Sequence, residues 1–286
     1  MLDSAPGRPS IGAVPYRHDL PRRSAERTKL RRQSFDAVAR LYDRFRPGYP
    51  EELIDDAVRL SAIPEGGRIL EIGPGTGQAT LPLARRGFSI LGLELGPSMA
   101  RVCRRNLRAF PDVEIHNIAF EDWEPEPEAF DIVLAATAFH WIPYKVAYSR
   151  CAKVLRPDGS LALLWNFVDT PDTGFFRGLG AIYREHAPHL AHRRPPEQRI
   201  ERQRKKIVSS GYFGPVTTVR RPWQSEYSAD RYIGLLKTMS NHAILAPRVR
   251  RSLFRAIRGL INEHGGKFVR PVVAVLFLAA RRTSRS

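Results

Sequence analysis

Residues 68–80 read RILEIGPGTGQAT, an apolar run that closes on three glycines at alternate positions and then turns helical. The near-continuous apolar residues Ile69, Leu70 and Ile72 predict a short strand covered on both faces, as in a parallel sheet flanked by helices. Gly73, Gly75 and Gly77 predict a tight turn in which backbone can approach a ligand where a Cβ would clash, and Gln78 onward predicts a helix. Strand, glycine turn and helix N-terminus together form a cradle for a nucleotide-type ligand. The glycines run G-P-G-T-G rather than G-x-G-x-x-G, and Glu71 stands inside the strand end.

Further pieces follow in order. SILGLEL, 89–95, is a second strand whose end carries Glu94, near the roughly 20-residue spacing of a ribose-binding acid. FEDWEP places Glu121 and Asp122 after the apolar pair Ile118 and Phe120. FDIVLAATAFHWI and KVLRPDGSLALL read as a fourth strand and a helix-turn-strand leading into a fifth. Taken singly, each has a plainer reading: a tight turn, a solvated strand-end acid, an Asp that caps a turn. Their joint order points to one ligand site at the carboxyl ends of a parallel sheet.

E-I-G-P-G-T-G resembles the first motif of the class I S-adenosylmethionine-dependent methyltransferases, and the resemblance runs closely over about Phe35–Trp165 and more loosely to Arg281. It implies an α/β, Rossmann-like doubly wound sheet, mostly parallel with an antiparallel C-terminal strand, helices on both faces and a helical lid insertion at about 229–264. It also implies that Gly73, Gly75 and Gly77 wrap the methionine part of S-adenosylmethionine. Glu71 would help hold the amino group, Glu94 the ribose hydroxyls, and Glu121 or Asp122 the adenine amino group.

Upstream, QSFDAVARLYDRF (33–45) repeats apolar residues at helical spacing, and Arg46-Pro47-Gly48 stops it. FDAVARLYDRFRPGYP resembles the N-terminal cap of small-molecule members of the family, in which Tyr42 and Arg46 would close over the cofactor. The plainer reading is a core tyrosine and a solvated C-terminal charge.

After the fourth strand, the N/D-P-P-F/Y tetrapeptide of nucleobase amino-methyltransferases and the Pro-Cys of cytosine C5 enzymes are both absent. Phe139, His140 and Trp141 stand there as candidate substrate contacts. His140 reads either as a general base, since imidazole titrates near neutrality, or as a histidine that shapes the pocket. Two further strands are predicted at Thr217–Tyr227 and Val272–Ala280, and 193–206 reads as a polar, proline-interrupted connection. Ala229–His264 reads as two helices broken near Pro247, forming the lid, with Met239, Asn241 and His242 lining the acceptor site. Arg248, Arg250, Arg251, Arg255 and Arg258 make a stripe on one helical face, read as solvated or as attracting an acidic substrate.

The chain has 286 residues, 43% of them hydrophobic, with a formal net charge of +17. That suits one α/β domain over 33–281 with its core at 66–166, after a basic, disordered tail at 1–32 and before a short tail at 282–286. Cys103 and Cys151 lack metal-ligand spacing and read as buried thiols of a reducing compartment. With no secretory signal and no apolar run long enough to span a bilayer, the expectation is a soluble, cytoplasmic protein without membrane contact. The function expected is methyl transfer from S-adenosylmethionine to a small molecule, with no metal. A nucleic-acid (RNA) methyltransferase, which the charge favours, and a catalytically silent cofactor-binding protein are the alternatives.

Overall fold

A computed structural model describes residues 34–191 and 194–282; the basic segment 1–32 and the last four residues lie outside them. The glycine-loop strand β1 (Arg68–Ile72) is an interior strand, third in a seven-stranded sheet of order β3-β2-β1-β4-β5-β7-β6. It pairs in parallel with β2 (Ser89–Leu93) and β4 (Phe130–Ala136), which pair in turn with β3 (Val113–His116) and β5 (Leu155–Val168). The last two strands, β6 (Thr217–Ser228) and β7 (Lys267–Ala280), are antiparallel, with β7 inserted between β5 and β6. The expected mostly parallel sheet with an antiparallel C-terminal end is the fold observed.

Alternate residues of each strand face opposite sides, so the apolar runs build two cores at once. Leu70, Val133, Leu163 and Phe277 pack under α5 (Tyr144–Val154) and the later helix α8 (Pro196–Ser209). Ile69, Ile132, Leu164 and Leu276 pack under α2 (Glu51–Ser61), α3 (Thr80–Ala84) and α4 (Pro97–Asn106). Each fully buried Leu or Ile contributes roughly 1.5–3 kcal/mol, so this two-sided burial fixes the strand register. Cys103 and Cys151 are free, buried thiols, one in each core.

Several boundaries differ from the sequence reading. The cap is broken by a turn at 37–38: residues 34–36 are helical and α1 covers Ala39–Phe45. Asp36 Oδ1 accepts from the amides of Ser98 and Met99 at 2.6 and 3.2 Å in the first turn of α4. Segment 193–206, expected as a connection, enters helix α8 from Pro196. Its Pro196 stands at the first helical position, where no N–H is needed, and Ile200 and Ile207 bury a common stripe. The insertion holds three helical pieces rather than two: α9 (Ala229–Lys237), α10 (Ser240–Ala243) and α11 (Pro247–Glu263).

These helices share a third core with α6 (Gly174–His186), built from Phe175, Tyr183, Tyr232, Leu236, Leu253 and Ile257. Short α7 (Pro188–Ala191) follows α6. The arginine stripe of α11 faces outward: Arg248, Arg251, Arg255 and Arg258 are exposed, and Arg258 pairs with Asp230 at 2.7 Å. Among the described residues no helix is long and apolar enough to cross a membrane.

Candidate functional site

At the carboxyl end of β1 the chain enters the left-handed region at Gly73, φ 66°. A Cβ there would come within 2.7 Å of the Ala138 Cβ, so only glycine lets the loop lie against the end of β4. Over this loop opens a cavity between the ends of β1, β2 and β4. Its walls are mostly apolar, among them Phe35, Met99, Ile118, Phe120 and Trp141, with the carboxylates of Glu94 and Glu121 as polar points.

Glu94 is tied in place from two sides. Its Oε2 accepts from the Gly75 amide at 3.0 Å and its Oε1 from the Gly96 amide at 2.9 Å, which locks the glycine loop to the turn after β2. Each carboxylate oxygen keeps further acceptor capacity for donors arriving in the cavity. Glu71 lies behind the loop, fully buried and in the wall of neither cavity described here. Neither of its oxygens has a hydrogen-bond partner. Burial pushes its carboxyl up to about 7; the nearby Thr80 hydroxyl opposes the shift and the Glu94 charge adds to it.

A second, more polar cavity adjoins the first, and both are bordered by Tyr42, Gly73, Ala136 and Thr137. Arg46, Tyr49, Gln78 and Asn166 complete its polar wall. Burial raises the pKa of the Tyr42 phenol, and the Arg46 guanidinium, 4.9 Å from the ring centroid, works against that shift. Arg46 donates through Nε to Thr238 Oγ1 and through Nη2 to Thr238 O, both at 2.9 Å, joining cap helix to insertion.

The Tyr49 and Thr137 hydroxyls lie 2.7 Å apart. Thr137 has φ 57°, an unfavourable conformation for a β-branched residue, and its amide is held by Leu164 O at 2.8 Å. Asn166 donates to Gly48 O at 3.0 Å and accepts from Trp223 Nε1 at 3.2 Å.

The structure thus brings Tyr42, Arg46, Gly73, Gly75, Glu94, Glu121 and Trp141 to the two cavities. Glu71 lies beneath the loop, Gly77 is a buried part of the loop that lines neither cavity, and Asp122 is exposed outside the wall. In the 3-10 turn Phe139–Trp141, successive side chains diverge by about 120°. Phe139 therefore goes into the core against Tyr148, and Trp141 faces the cavity. His140 is exposed and packs on Trp141 with ring centroids 4.7 Å apart.

The insertion residues are placed differently from the expectation. His242 is buried in the third core, its Nε2 2.8 Å from Tyr183 OH and its Nδ1 2.9 Å from Asn241 Oδ1, so this pair holds the insertion together and borders neither cavity. Sequence reasoning missed Asp36, Tyr49, Gln78, Thr137 and Asn166. The motif RPGYP contains Tyr49 and the strand end contains Thr137, but only the fold joins them.

The residues fit an adenosylated ligand. An apolar slot with a fixed carboxylate in its wall suits a nucleoside, and Gly73 and Gly75 leave room that side chains would fill. Comparison with known proteins agrees. A family model described as a methyltransferase domain matches residues 69–159. A Mycobacterium tuberculosis methyltransferase described as uncharacterized is 33% identical over 183 residues, 64% of this chain and 72% of the relative.

Among solved structures, the YcgJ protein of Bacillus subtilis is similar with a TM-score of 0.53 at 14% identity, covering 82% of this chain and all of that one. Phosphoethanolamine N-methyltransferase 2 of Haemonchus contortus, solved with phosphomonomethylethanolamine and S-adenosylhomocysteine, reaches 0.52 at 16% identity, covering 87% of this chain and 58% of that one. With glycine loop, strand-end acid, sheet order and relatives in agreement, the chain belongs to the class I S-adenosylmethionine-dependent methyltransferases.

Proposed function

We propose that this enzyme methylates a small-molecule acceptor held between the strand ends and the helical insertion. The observation that carries the reading is the pair of joined cavities roofed by the cap helix, with Arg46 fastened to Thr238 of the insertion. The cap and the insertion, tied together beside the strand ends, suit an acceptor of metabolite size better than a polymer.

In this reading the apolar cavity takes the adenosine part of the cofactor. Glu94 accepts from the ribose hydroxyls, and Glu121 lies at the adenine end. The polar cavity takes the amino-carboxylate, with Arg46 and Gln78 offering donors to the carboxylate. When bound, the cofactor supplies a methyl group already activated by its sulfonium. What remains for the protein is alignment, which can supply roughly 7–11 kcal/mol without covalent catalysis. Tyr42, Ala136 and Thr137, common to both cavities, form the wall at which the acceptor is oriented, and Trp141 excludes water from the adenosine side. His140, exposed beside Trp141, has no direct path to that wall in this arrangement.

Transfer of labelled methyl to a metabolite library, with tRNA and duplex DNA run in parallel at two salt concentrations, tests the reading. Product on small molecules alone is the expected result. Specific, salt-resistant methylation of a nucleic acid would replace it with the nucleic-acid reading, which the +17 charge otherwise supports only as phosphate attraction.

A further inference from the structure

Asn166, near the carboxyl end of β5, lines the polar cavity, and its amide is held by two partners of opposite kind. Its Nδ2 donates to Gly48 O at 3.0 Å, and its Oδ1 accepts from Trp223 Nε1 at 3.2 Å. A backbone carbonyl only accepts and an indole N–H only donates, so the reversed amide would meet both partners with the wrong atom. Gln78, in the same wall, is not fixed in this way: its amide meets the Thr76 hydroxyl at 2.7 Å, a group able to play either part. Asn166 therefore keeps one Nδ2 hydrogen in a settled orientation, with no partner among the described residues.

The indole reaches Asn166 from two strands away. Ala274 of β7 pairs with Asn166 on one side and with Arg221 on the other, and Trp223 stands two residues further along β6, on the same face of the sheet. The small, buried Ala274 leaves room for the ring to cross β7. No described residue of β6 lines either cavity, so this bond ties the antiparallel edge to the site from outside its walls.

A carboxylate offers about four acceptor positions. Part of the donor capacity of the other wall residues is already spent: Arg46 gives its Nε and one Nη2 hydrogen to Thr238, and Gln78 gives its amide to Thr76. We propose that Asn166 is a carboxylate-binding residue of the cofactor site, donating its second Nδ2 hydrogen to the amino-carboxylate end, and that Trp223 is a positioning residue acting through it. The proposal rests on the placing of the amino-carboxylate in the polar cavity, above. The plainer alternative is that Asn166 only clamps the Gly48 turn to the sheet.

The test is calorimetry on the full chain with S-adenosylhomocysteine and with methylthioadenosine, which has the same adenosine and sulfur but no amino-carboxylate. N166A should weaken S-adenosylhomocysteine about tenfold, the order expected for a hydrogen bond to a charged group, and methylthioadenosine by less than about twofold. N166D keeps an acceptor for Trp223 but meets the carboxylate with a second negative charge. It should therefore bind S-adenosylhomocysteine more weakly than N166A does, with methylthioadenosine again little changed. W223F keeps a ring and removes the N–H. It should weaken S-adenosylhomocysteine by about threefold alone and by nothing further in the N166A background, because its effect passes through the amide.

Equal losses for the two ligands would show the clamping role alone and overturn the proposal. So would N166D binding S-adenosylhomocysteine as tightly as N166A, or a W223F loss that adds in full to that of N166A. If N166A fails to fold, W223F against the two ligands decides the same question. If methylthioadenosine binds too weakly to measure, the order of N166D and N166A and the W223F cycle decide it. Absence of S-adenosylhomocysteine binding in the wild type would instead remove the reading beneath the proposal.

Discussion

The hydroxyl of Tyr49, in the cap, lies 2.7 Å from that of Thr137, at the end of β4 and 88 residues away, and Thr137 holds that position in a left-handed backbone conformation. Strain in a β-branched residue persists where the surroundings over-determine it, and here the Leu164 carbonyl and the Tyr49 hydroxyl do so. T137A loses the hydrogen bond and keeps most of the strain, whereas T137G loses the bond and relieves the strain. T137G should therefore be more stable than T137A by about 1 kcal/mol in urea unfolding, although both lower methyl transfer. Equal stability of the two would mean that the backbone at this position is not strained.

Glu94 joins two loops through charge-assisted bonds to Gly75 and Gly96. E94A should weaken S-adenosylhomocysteine by roughly a hundredfold or more, about 3 kcal/mol, because loop order and ribose acceptor are lost together. E94Q keeps the shape but cannot accept at both positions, and should fall between. Calorimetric titration reads both, and wild-type affinity in E94A would refute the assignment.

Glu71 should make stability depend on pH. Below about pH 4.5 its carboxyl is neutral in both folded and unfolded chains. Between there and about pH 7 the folded protein keeps a proton that the unfolded chain has lost, so the contribution of this group declines as pH rises through that window. The decline is on the order of 3 kcal/mol, from the size of the shift and 1.36 kcal/mol per pH unit. Denaturant unfolding at pH 5, 6, 7 and 8 should show E71Q with a flatter profile than the wild type; identical slopes would mean that Glu71 ionises normally.

The Arg46–Thr238 pair spans 192 residues and fastens the insertion to the cap. T238V preserves shape and removes the hydroxyl that accepts from Arg46 and donates to Leu235 O. Loss of about 1 kcal/mol locally should speed amide exchange in α9 and α10 about fivefold while cofactor affinity stays within a fewfold. R46M should weaken the cofactor itself, because it removes the cation of the polar cavity. Unchanged exchange in T238V would show that the insertion is held by its apolar contacts alone.

The features legible in the sequence were those set by local pattern. Ile69, Leu70 and Ile72 announced a doubly covered strand, the glycines a close approach, and Glu94 a strand-end acid, because each depends on near neighbours. Asp36 was not legible as a cap, since its partners are the Ser98 and Met99 amides, 62 and 63 residues away. His242 read as a lining residue because a histidine beside an asparagine gives no sign of which way it points; the third core draws it inward to Tyr183. Segment 193–206 read as a connection because Pro195 and Pro196 look like breakers, whereas Pro196 at the first helical position starts the helix.

The insertion has an apolar core of its own, shared with α6 and separate from the two that flank the sheet. Acceptor preference is thereby modular: Leu253, Ile257 and their neighbours can be repacked, and the roof reshaped, without disturbing the glycine loop or the acid that ties it. Descendants of such a chain can diverge in what they methylate while the bed for the methyl donor stays the same, and the few ties across the seam, Arg46 to Thr238 foremost, set how far that divergence can go.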